Sequence, residues 1–167
     1  MNLARAAEQL MAMTDGSWER HANPASAWSR VSVLPLIALA AWSRIWLGWW
    51  ALGPGAIVLA WLWINPRLFP PPRDRSSWMT RGVYGERIWI ARSDRPIPRW
   101  YVIRGQALLG LAGVTFLAFL YGLVQLDPVW TVVPMIVSTG AKMGFVRLMA
   151  HLFDHQGPVP DAGAPPS

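Results

Sequence analysis

The chain has 167 residues, of which 53% are hydrophobic and 14% are charged, with a formal net charge of +6 and no cysteine. The length suits one domain. The charged share lies well below the usual value of about 25%, which argues against an ordinary soluble domain. The absence of cysteine excludes disulfide bonds and thiolate chemistry.

The aromatic and basic residues indicate contact with a membrane surface. Twelve residues are tryptophan, a side chain that favours the boundary between lipid and water because its ring is apolar and its N–H is polar. A pI near 11 would suggest a nucleic-acid partner for a soluble protein. Here the basic residues are arginines beside apolar segments, so we expect an anionic phospholipid partner and no nucleic acid.

The first apolar tract covers residues 31–64 and contains one charged residue, Arg44. As a single helix it would extend roughly 50 Å, too long for one crossing of a bilayer. We therefore favour two arms, 31–46 and 49–64, although arms of about 16 residues are slightly short for a span.

The turn between these arms is expected at "RIWLGWW", where Gly48 permits a reversal and Arg44 and the tryptophans suit the headgroup layer. The alternative turn, residues 53–55, would leave a second arm too short to cross, and the pair would then be re-entrant or interfacial. The "ALA" at residues 38–40 resembles a signal-peptide cleavage site, but the 30-residue segment before the apolar tract is too long for that reading.

The second apolar region predicts two further spans. Residues 105–126 run for 22 residues without a charge, enough to cross the hydrocarbon core at 1.5 Å per residue. Asp127-Pro128 then breaks the helix, because a proline disfavours helical geometry at the preceding residue. Residues 129–150 follow as an antiparallel partner that carries Lys142.

The segment from residue 66 to residue 104 is rich in arginine and is expected to lie in the cytoplasm. Its nine arginines face three acidic residues, whereas the two turns on the opposite side carry one arginine in total. The excess of basic residues in cytoplasmic loops therefore places both termini and this loop in the cytoplasm. We expect a multi-pass protein of the inner (plasma) membrane.

Residues 78–90 within this loop predict a short amphipathic helix that lies in the membrane interface. Met79, Val83 and Ile90 would share one helical face. The glycines at 82 and 85 weaken the helix prediction, and "RIWIAR" is also compatible with a short strand.

The expected fold is therefore all-α and polytopic: two antiparallel hairpins of transmembrane helices joined by the arginine-rich loop. Residues 1–155 would form a single domain. Residues 156–167 are rich in proline and glycine, have nothing to bury, and are expected to be a disordered tail.

Five stretches together resemble a family of small prokaryotic multi-pass membrane proteins defined only as a domain of unknown function. They are "HANPASAWSRV", "WSRIWLGWW", "NPRLFPPPR", "GERIWIARSDRPIP" and "AKMGFVRLM". The resemblance covers roughly residues 20–155. It implies a helical integral membrane protein and no particular chemistry, so no catalytic residue is carried over from it.

Several residues are candidates for binding. Lys142 lies well inside a predicted span, yet the spans contain no acidic residue to pair with it, so its ammonium group is expected to reach toward lipid phosphate. Gly140 and Gly144 form a GxxxG spacing that suits close helix packing. The predicted headgroup-binding residues are Arg81, Arg87, Arg92, Arg95, Arg99, Arg104 and Lys142.

Metal, cofactor and catalytic sites are poorly supported by the sequence. His151 and His155 share a helical face and are weak candidates for a metal, but two histidines at the wet end of a span are more often solvated. No histidine lies within a predicted span, and no HExxH, GxSxG or phosphate-binding loop occurs. We expect no cofactor and no catalytic site.

The favoured hypothesis is a non-catalytic membrane protein that serves as an accessory subunit or lipid-associated scaffold, within a membrane complex or a homo-oligomer. One alternative is a small oligomeric transporter or channel with Lys142 and Arg44 near an anion path, although the lack of a carboxylate in the spans counts against ion coupling. The other is a lipid-modifying enzyme that uses Glu86, His21 or His151.

Overall fold

A computed structural model of the chain describes residues 15–93 and 95–157. These residues form α-helices and one short 3₁₀ helix, without a strand among them. The segments 1–14 and 158–167 lie outside the described residues, and most of the predicted tail therefore does too. The α-helices are α1 (Asp15–His21), α2 (Pro24–Val31), α3 (Val33–Trp42), α4 (Arg44–Leu47), α5 (Leu52–Leu68), α6 (Trp78–Ile90), α7 (Arg99–Gln125) and α8 (Pro128–Gln156), and the 3₁₀ helix is Gly48–Ala51.

Among the described residues, three stretches are long and apolar enough to cross a membrane: Pro24–Asn65, Arg99–Gln125 and Pro128–Gln156. The all-α prediction is thus confirmed, with three candidate spans. Helix α7 begins six residues earlier than predicted, directly after Pro98, and α8 ends six residues later. The extension of α8 is held by burial, because Leu152 and Phe153 pack inside the protein.

Helices α7 and α8 lie side by side in opposite directions and share extensive contacts. Only Leu126 and Asp127 separate them. The Asp127 carboxylate caps α8 by accepting a hydrogen bond from the Trp130 backbone N–H at 2.9 Å. Gly122 allows the close approach near this turn, because a Cβ there would lie 2.3 Å from the Trp130 carbonyl carbon.

The first apolar stretch reverses direction within its 42 residues. The Ser26 hydroxyl donates to the Asn65 side-chain oxygen at 2.7 Å, and the Asn65 amide donates to the Ser29 hydroxyl at 2.7 Å. Residues 39 apart in the chain are thus neighbours. Gly48 lies near the reversal with φ of 54°, a value that favours glycine, and α3 contacts α5.

Helix α6 packs along the last turns of α8 and differs from the predicted interfacial helix in what its apolar face contacts. Met79 and Val83 are buried within the protein, so this face packs against neighbouring helices. The helix continues through Ile90, which makes the strand interpretation of "RIWIAR" wrong. Trp89 and Ile88 join a core with Phe145, Tyr101, Met149, Leu152 and Phe153.

Candidate functional site

Four titratable side chains from separate helices meet beside the apolar helices. The Lys142 ammonium on α8 lies 3.2 Å from a carboxylate oxygen of Glu86 on α6. The second pair is Arg30 on α2 and His21, the last residue of α1. The Arg30 guanidinium lies against the His21 imidazole and donates a hydrogen bond to the His21 backbone oxygen at 3.3 Å. We call His21, Arg30, Glu86 and Lys142 the charged cluster.

The Glu86 contact changes the interpretation of Lys142. The sequence offers no acidic residue within a span, but the structure supplies one from α6, 56 residues away along the chain. The side chain of Lys142 remains 46% exposed and that of Glu86 22% exposed. Because an ammonium group has three N–H donors and Glu86 engages one, Lys142 keeps donors for a further acceptor.

The electrostatics of the charged cluster leave it with a surplus of positive charge. Burial, followed by the charges of Arg30 and Lys142, lowers the pKa of His21 to about 3, so its imidazole is neutral at pH 7. A neutral ring has an unprotonated nitrogen that accepts a hydrogen bond from Arg30. Glu86 also attracts Arg30. Two cations against one carboxylate give a net charge of +1.

The charged cluster forms the polar part of a cleft with a volume of about 690 Å³. Its walls are mainly apolar and come from α2, α3 and α5 on one side and from α6, α7 and α8 on the other. Ser138 and Thr139 add two hydroxyl groups next to Lys142. Apolar wall residues include Val33, Leu34, Leu62, Leu109, Ala112, Phe116 and Met143.

Two glycines on α6 bring Glu86 to Lys142. A Cβ on Gly82 would lie 2.8 Å from the Val146 carbonyl oxygen, and a Cβ on Gly85 would lie 1.8 Å from that of Met149. The backbones of α6 and α8 therefore approach closely, which no larger residue permits. Glycine lowers helix propensity, which weakens the helix prediction here, but the role of these two glycines in the fold is to allow this contact.

The predicted headgroup-binding arginines do not form one group. Arg92 stacks on Trp89, with its guanidinium carbon 4.0 Å from the ring centroid, and donates to the Trp89 carbonyl oxygen at 2.8 Å. Arg95 donates to the Gln156 carbonyl oxygen at 2.9 Å. These two side chains therefore connect parts of the fold. Arg99 is exposed, and Arg87 is partly buried and has an interaction partner.

Arg81 and Arg104 lie instead near the outer surface of α8. Arg81 pairs with Asp154 at 3.4 Å, and the Arg104 guanidinium carbon lies 5.1 Å from the Trp100 ring centroid. Between them, the exposed side chains of Arg147 and His151 line two adjacent grooves. We call Arg104, Arg147 and His151 the basic rim.

The two grooves share Gly144, Arg147 and His151 and lie on either side of α8. The groove toward α7 has a volume of about 470 Å³ and continues along Leu108 and Leu111. The groove toward α6 has a volume of about 620 Å³ and includes Trp78, Arg81 and Asp154. Basic side chains thus meet apolar groove walls at one end of the long helices.

The GxxxG residues contribute to this surface in different ways. A Cβ on Gly144 would make an ordinary contact with Leu108 at 3.5 Å, whereas a Cβ on Gly140 would meet nothing within 4 Å among the described residues. Close packing of α7 on α8 uses Gly122 instead, and Gly105 makes room for the Trp89 ring of α6. A packing role for Gly140 and Gly144 together stays a prediction, and it would involve a surface outside this chain's own core.

His151, His155 and Arg44 lie apart from the charged cluster. His151 and His155 are exposed, and within the described part of the chain no three His, Cys, Asp or Glu side chains are grouped as a metal site would need. Arg44 donates to the carbonyl oxygen of Val124, at the last turn of α7. The structure therefore does not bring Arg44 and Lys142 to one anion path, because Arg44 satisfies a free helix-end carbonyl.

Two site residues were absent from the sequence-based candidates: Arg30 of the charged cluster and Arg147 of the basic rim. Arg30 lies at the edge of the first apolar tract and Arg147 lies inside the last one. A cation inside or beside an apolar span is itself a signal for a binding role. The same signal that singles out Lys142 is therefore present at Arg147, which lies in the same apolar stretch.

Comparison with known protein families identifies the family to which the chain belongs. Residues 3–166 match the model described as "Family of unknown function (DUF6653)". The chain belongs to this family. The match covers nearly the whole length and confirms the resemblance to a family of unknown function. Neither the curated proteins nor the solved structures include a significant match.

Proposed function

We propose that this member of the family is a four-span membrane protein that works by contact, as an accessory subunit or lipid-associated scaffold that holds anionic phospholipid. The observation that carries the proposal is the basic rim. Arg147 and His151 line two adjacent grooves that also have apolar walls, and Arg104 lines one of these grooves. A phosphate group would meet the guanidinium groups while acyl chains follow the grooves, and each arginine near an anionic leaflet contributes about 1 kcal/mol.

Helix lengths and contacts support four crossings. Helices α2 and α3 together run from Pro24 to Trp42 and α5 runs from Leu52 to Leu68, which gives arms of about 28 and 26 Å. Arg44 contacts the carbonyl of Val124, and the Trp42 indole donates to the Thr131 hydroxyl at 3.4 Å. The turn after α3 therefore lies at the same end of the fold as the turn between α7 and α8.

The opposite end carries the arginine-rich loop and the ends of the described chain. Under the positive-inside rule, this end faces the cytoplasm of a cell whose inner (plasma) membrane holds the protein. Helix α6 would then lie at the cytoplasmic boundary, with Trp78 toward the headgroups and Trp89 packed on α8. An accessory role within a membrane complex or a homo-oligomer fits the grooves on the described surface.

The test compares charge removal with charge-preserving change in the basic rim. Arg104→Gln with Arg147→Gln should weaken the preference for spin-labelled phosphatidylglycerol over phosphatidylcholine in nanodiscs by about 2 kcal/mol, or about 30-fold. Arg104→Lys with Arg147→Lys should retain most of the preference, because a diffuse lipid surface does not require the planar guanidinium fork. Equal losses in the two double variants would contradict the lipid proposal and indicate a ligand bound through bidentate geometry.

Arg73→Gln with Arg75→Gln provides a control with the same change in net charge. Both residues are exposed and lie in the loop before α6, outside the two grooves. This control should lose less phosphatidylglycerol preference than the groove variant. A loss as large as that of the groove variant would mean that overall charge, and not the basic rim, selects the lipid.

A small oligomeric transporter is the second candidate, and one observation favours it. Glu86 brings a carboxylate to Lys142 beside the candidate spans, which removes the argument from a missing acidic partner. Anion flux into proteoliposomes that depends on Lys142, and is abolished by Lys142→Ala, would support transport. Equal flux from empty liposomes would exclude it for the anion tested.

A further inference from the structure

The cleft beside the charged cluster combines a surplus positive charge with a long apolar wall. Arg30 and Lys142 carry two positive charges and Glu86 one negative charge, so one monoanion would balance the cluster. Lys142 is about half exposed and retains N–H donors. The Ser138 and Thr139 side chains line the same cleft. The Ser138 hydroxyl donates to the Ala112 carbonyl oxygen at 3.0 Å, whereas the Thr139 hydroxyl can donate to an anion.

The size of the cleft limits what can occupy it. About 690 Å³ lies within the usual range of roughly 300–1,000 Å³ for small-molecule sites. The apolar residues that line it belong to α3, α5 and α7 as well as α6 and α8. One apolar cleft that adjoins one polar end matches an amphiphile with a single chain and a single acidic head.

We propose that this cleft binds a long-chain fatty acid, with the carboxylate at Arg30 and Lys142 and the hydrocarbon chain between the first apolar stretch and α7. A carboxylate is a monoanion and accepts charge-assisted hydrogen bonds from both cations. The inference does not rest on the phospholipid function proposed above, because the basic rim and the cleft use different residues. Failure of one leaves the other intact.

Fluorescence quenching by a brominated fatty acid measures this binding, because Trp89 lines the cleft. Titration of dibromostearic acid into the protein in detergent should give a saturable quenching component. That component should shrink in Trp89→Phe, since quenching acts at short range. The corresponding brominated alcohol, which lacks the acidic head, should give only the non-saturable quenching of micelle partitioning.

Brominated phosphatidylglycerol separates the fatty acid from a membrane phospholipid. It is anionic but carries two chains, so it should not compete for the saturable component. If brominated phosphatidylglycerol or the brominated alcohol produces the same saturable, Trp89-dependent quenching, the fatty-acid proposal is overturned.

A matched pair of glycine variants on α7 tests whether the chain lies in the cleft. Gly113 lines the cleft, whereas Gly110 does not, and a Cβ at either position would meet nothing within 4 Å among the described residues. Gly113→Leu should therefore fill the space and abolish the saturable component, while Gly110→Leu should leave its Kd unchanged. Equal effects of the two substitutions would refute the proposed position of the chain.

Charge variants distinguish ligand binding from a purely structural ion pair. Lys142→Gln should raise the Kd about tenfold by removing one charge-assisted hydrogen bond. Glu86→Gln should lower the Kd, because it removes the carboxylate that competes for Lys142. If Glu86→Gln weakens binding as Lys142→Gln does, the cluster serves the fold and the proposal fails. Thermal unfolding of both variants checks that each is folded, and Lys142→Arg, which keeps the charge, should retain binding.

Discussion

The contact between α6 and α8 makes a sharp prediction for Gly85→Ala. The new Cβ would lie 1.8 Å from the carbonyl oxygen of Met149 and 2.5 Å from its carbonyl carbon. A normal carbon–oxygen contact is about 3.3 Å or longer, so α6 must retreat from α8 by roughly 1.5 Å. Both obstructing atoms belong to the backbone of a long helix, and no side-chain rotation relieves the overlap.

Overpacking of a core costs about 1–3 kcal/mol, and a displacement of whole helices belongs at the upper end. Alanine recovers about 0.5–1 kcal/mol because glycine is a poor helix former. The expected net loss for Gly85→Ala is therefore about 2 kcal/mol. For a domain of this size that corresponds to a fall in Tm of about 4–8 °C.

Thermal unfolding in detergent, followed by circular dichroism, measures this loss. Gly110→Ala is the matched control, because a Cβ at Gly110 meets nothing within 4 Å among the described residues. It should be as stable as the parent chain or slightly more stable. A Tm for Gly85→Ala that equals the Tm of Gly110→Ala would refute the close packing of α6 on α8.

Three further predictions concern charge and topology. Reporter fusions at Asp74 and after Ser167 should both give cytoplasmic signals, and a periplasmic signal at either position would contradict the four-span topology. The pKa of His21 is lowered from 6.5 to about 3, so the unfolded chain gains a proton below pH 6.5 while the folded chain does not. The free energy of unfolding should therefore fall as the pH drops from 6.5, by about 2 kcal/mol at pH 5. Unfolding curves of His21→Gln should lack this loss at low pH. The same pH dependence in His21→Gln as in the parent chain would contradict the prediction. A double-mutant cycle of Glu86→Gln and Lys142→Gln measures the coupling free energy of the ion pair. It should favour the pair by at most about 1 kcal/mol, because Lys142 is partly exposed. A coupling of opposite sign would exclude a stabilising ion pair.

The sequence predicts the helical elements well where the signal is local. The uncharged run 105–126 forms most of a long helix, and the break expected at Asp127-Pro128 is a two-residue connection followed by a second long helix. Length, charge and proline geometry are properties of neighbouring residues, so no knowledge of tertiary contacts is required. The apolar face of α6 can also be read from the sequence as a periodic pattern. The sequence does not show whether that face contacts the membrane or another helix.

The contacts that build the candidate sites are long-range and could not be derived in the same way. Glu86 meets Lys142 across 56 residues, and no spacing rule connects them. Gly85 lowers local helix propensity, yet its value to the fold depends on a helix that begins 43 residues later. Arg44 suited a headgroup layer by its position beside tryptophans, but the helix end at Val124 offers it a carbonyl acceptor. In each case a tertiary partner decides the role of the residue.

The most direct test of the account is native mass spectrometry of the protein released from its own membrane in mild detergent. The proposed lipid-holding function predicts retained masses of anionic phospholipid, reduced in Arg104→Gln with Arg147→Gln and kept in Arg104→Lys with Arg147→Lys. Recovery of the protein without phospholipid, or with zwitterionic and anionic phospholipids in the proportions of the membrane, would contradict it.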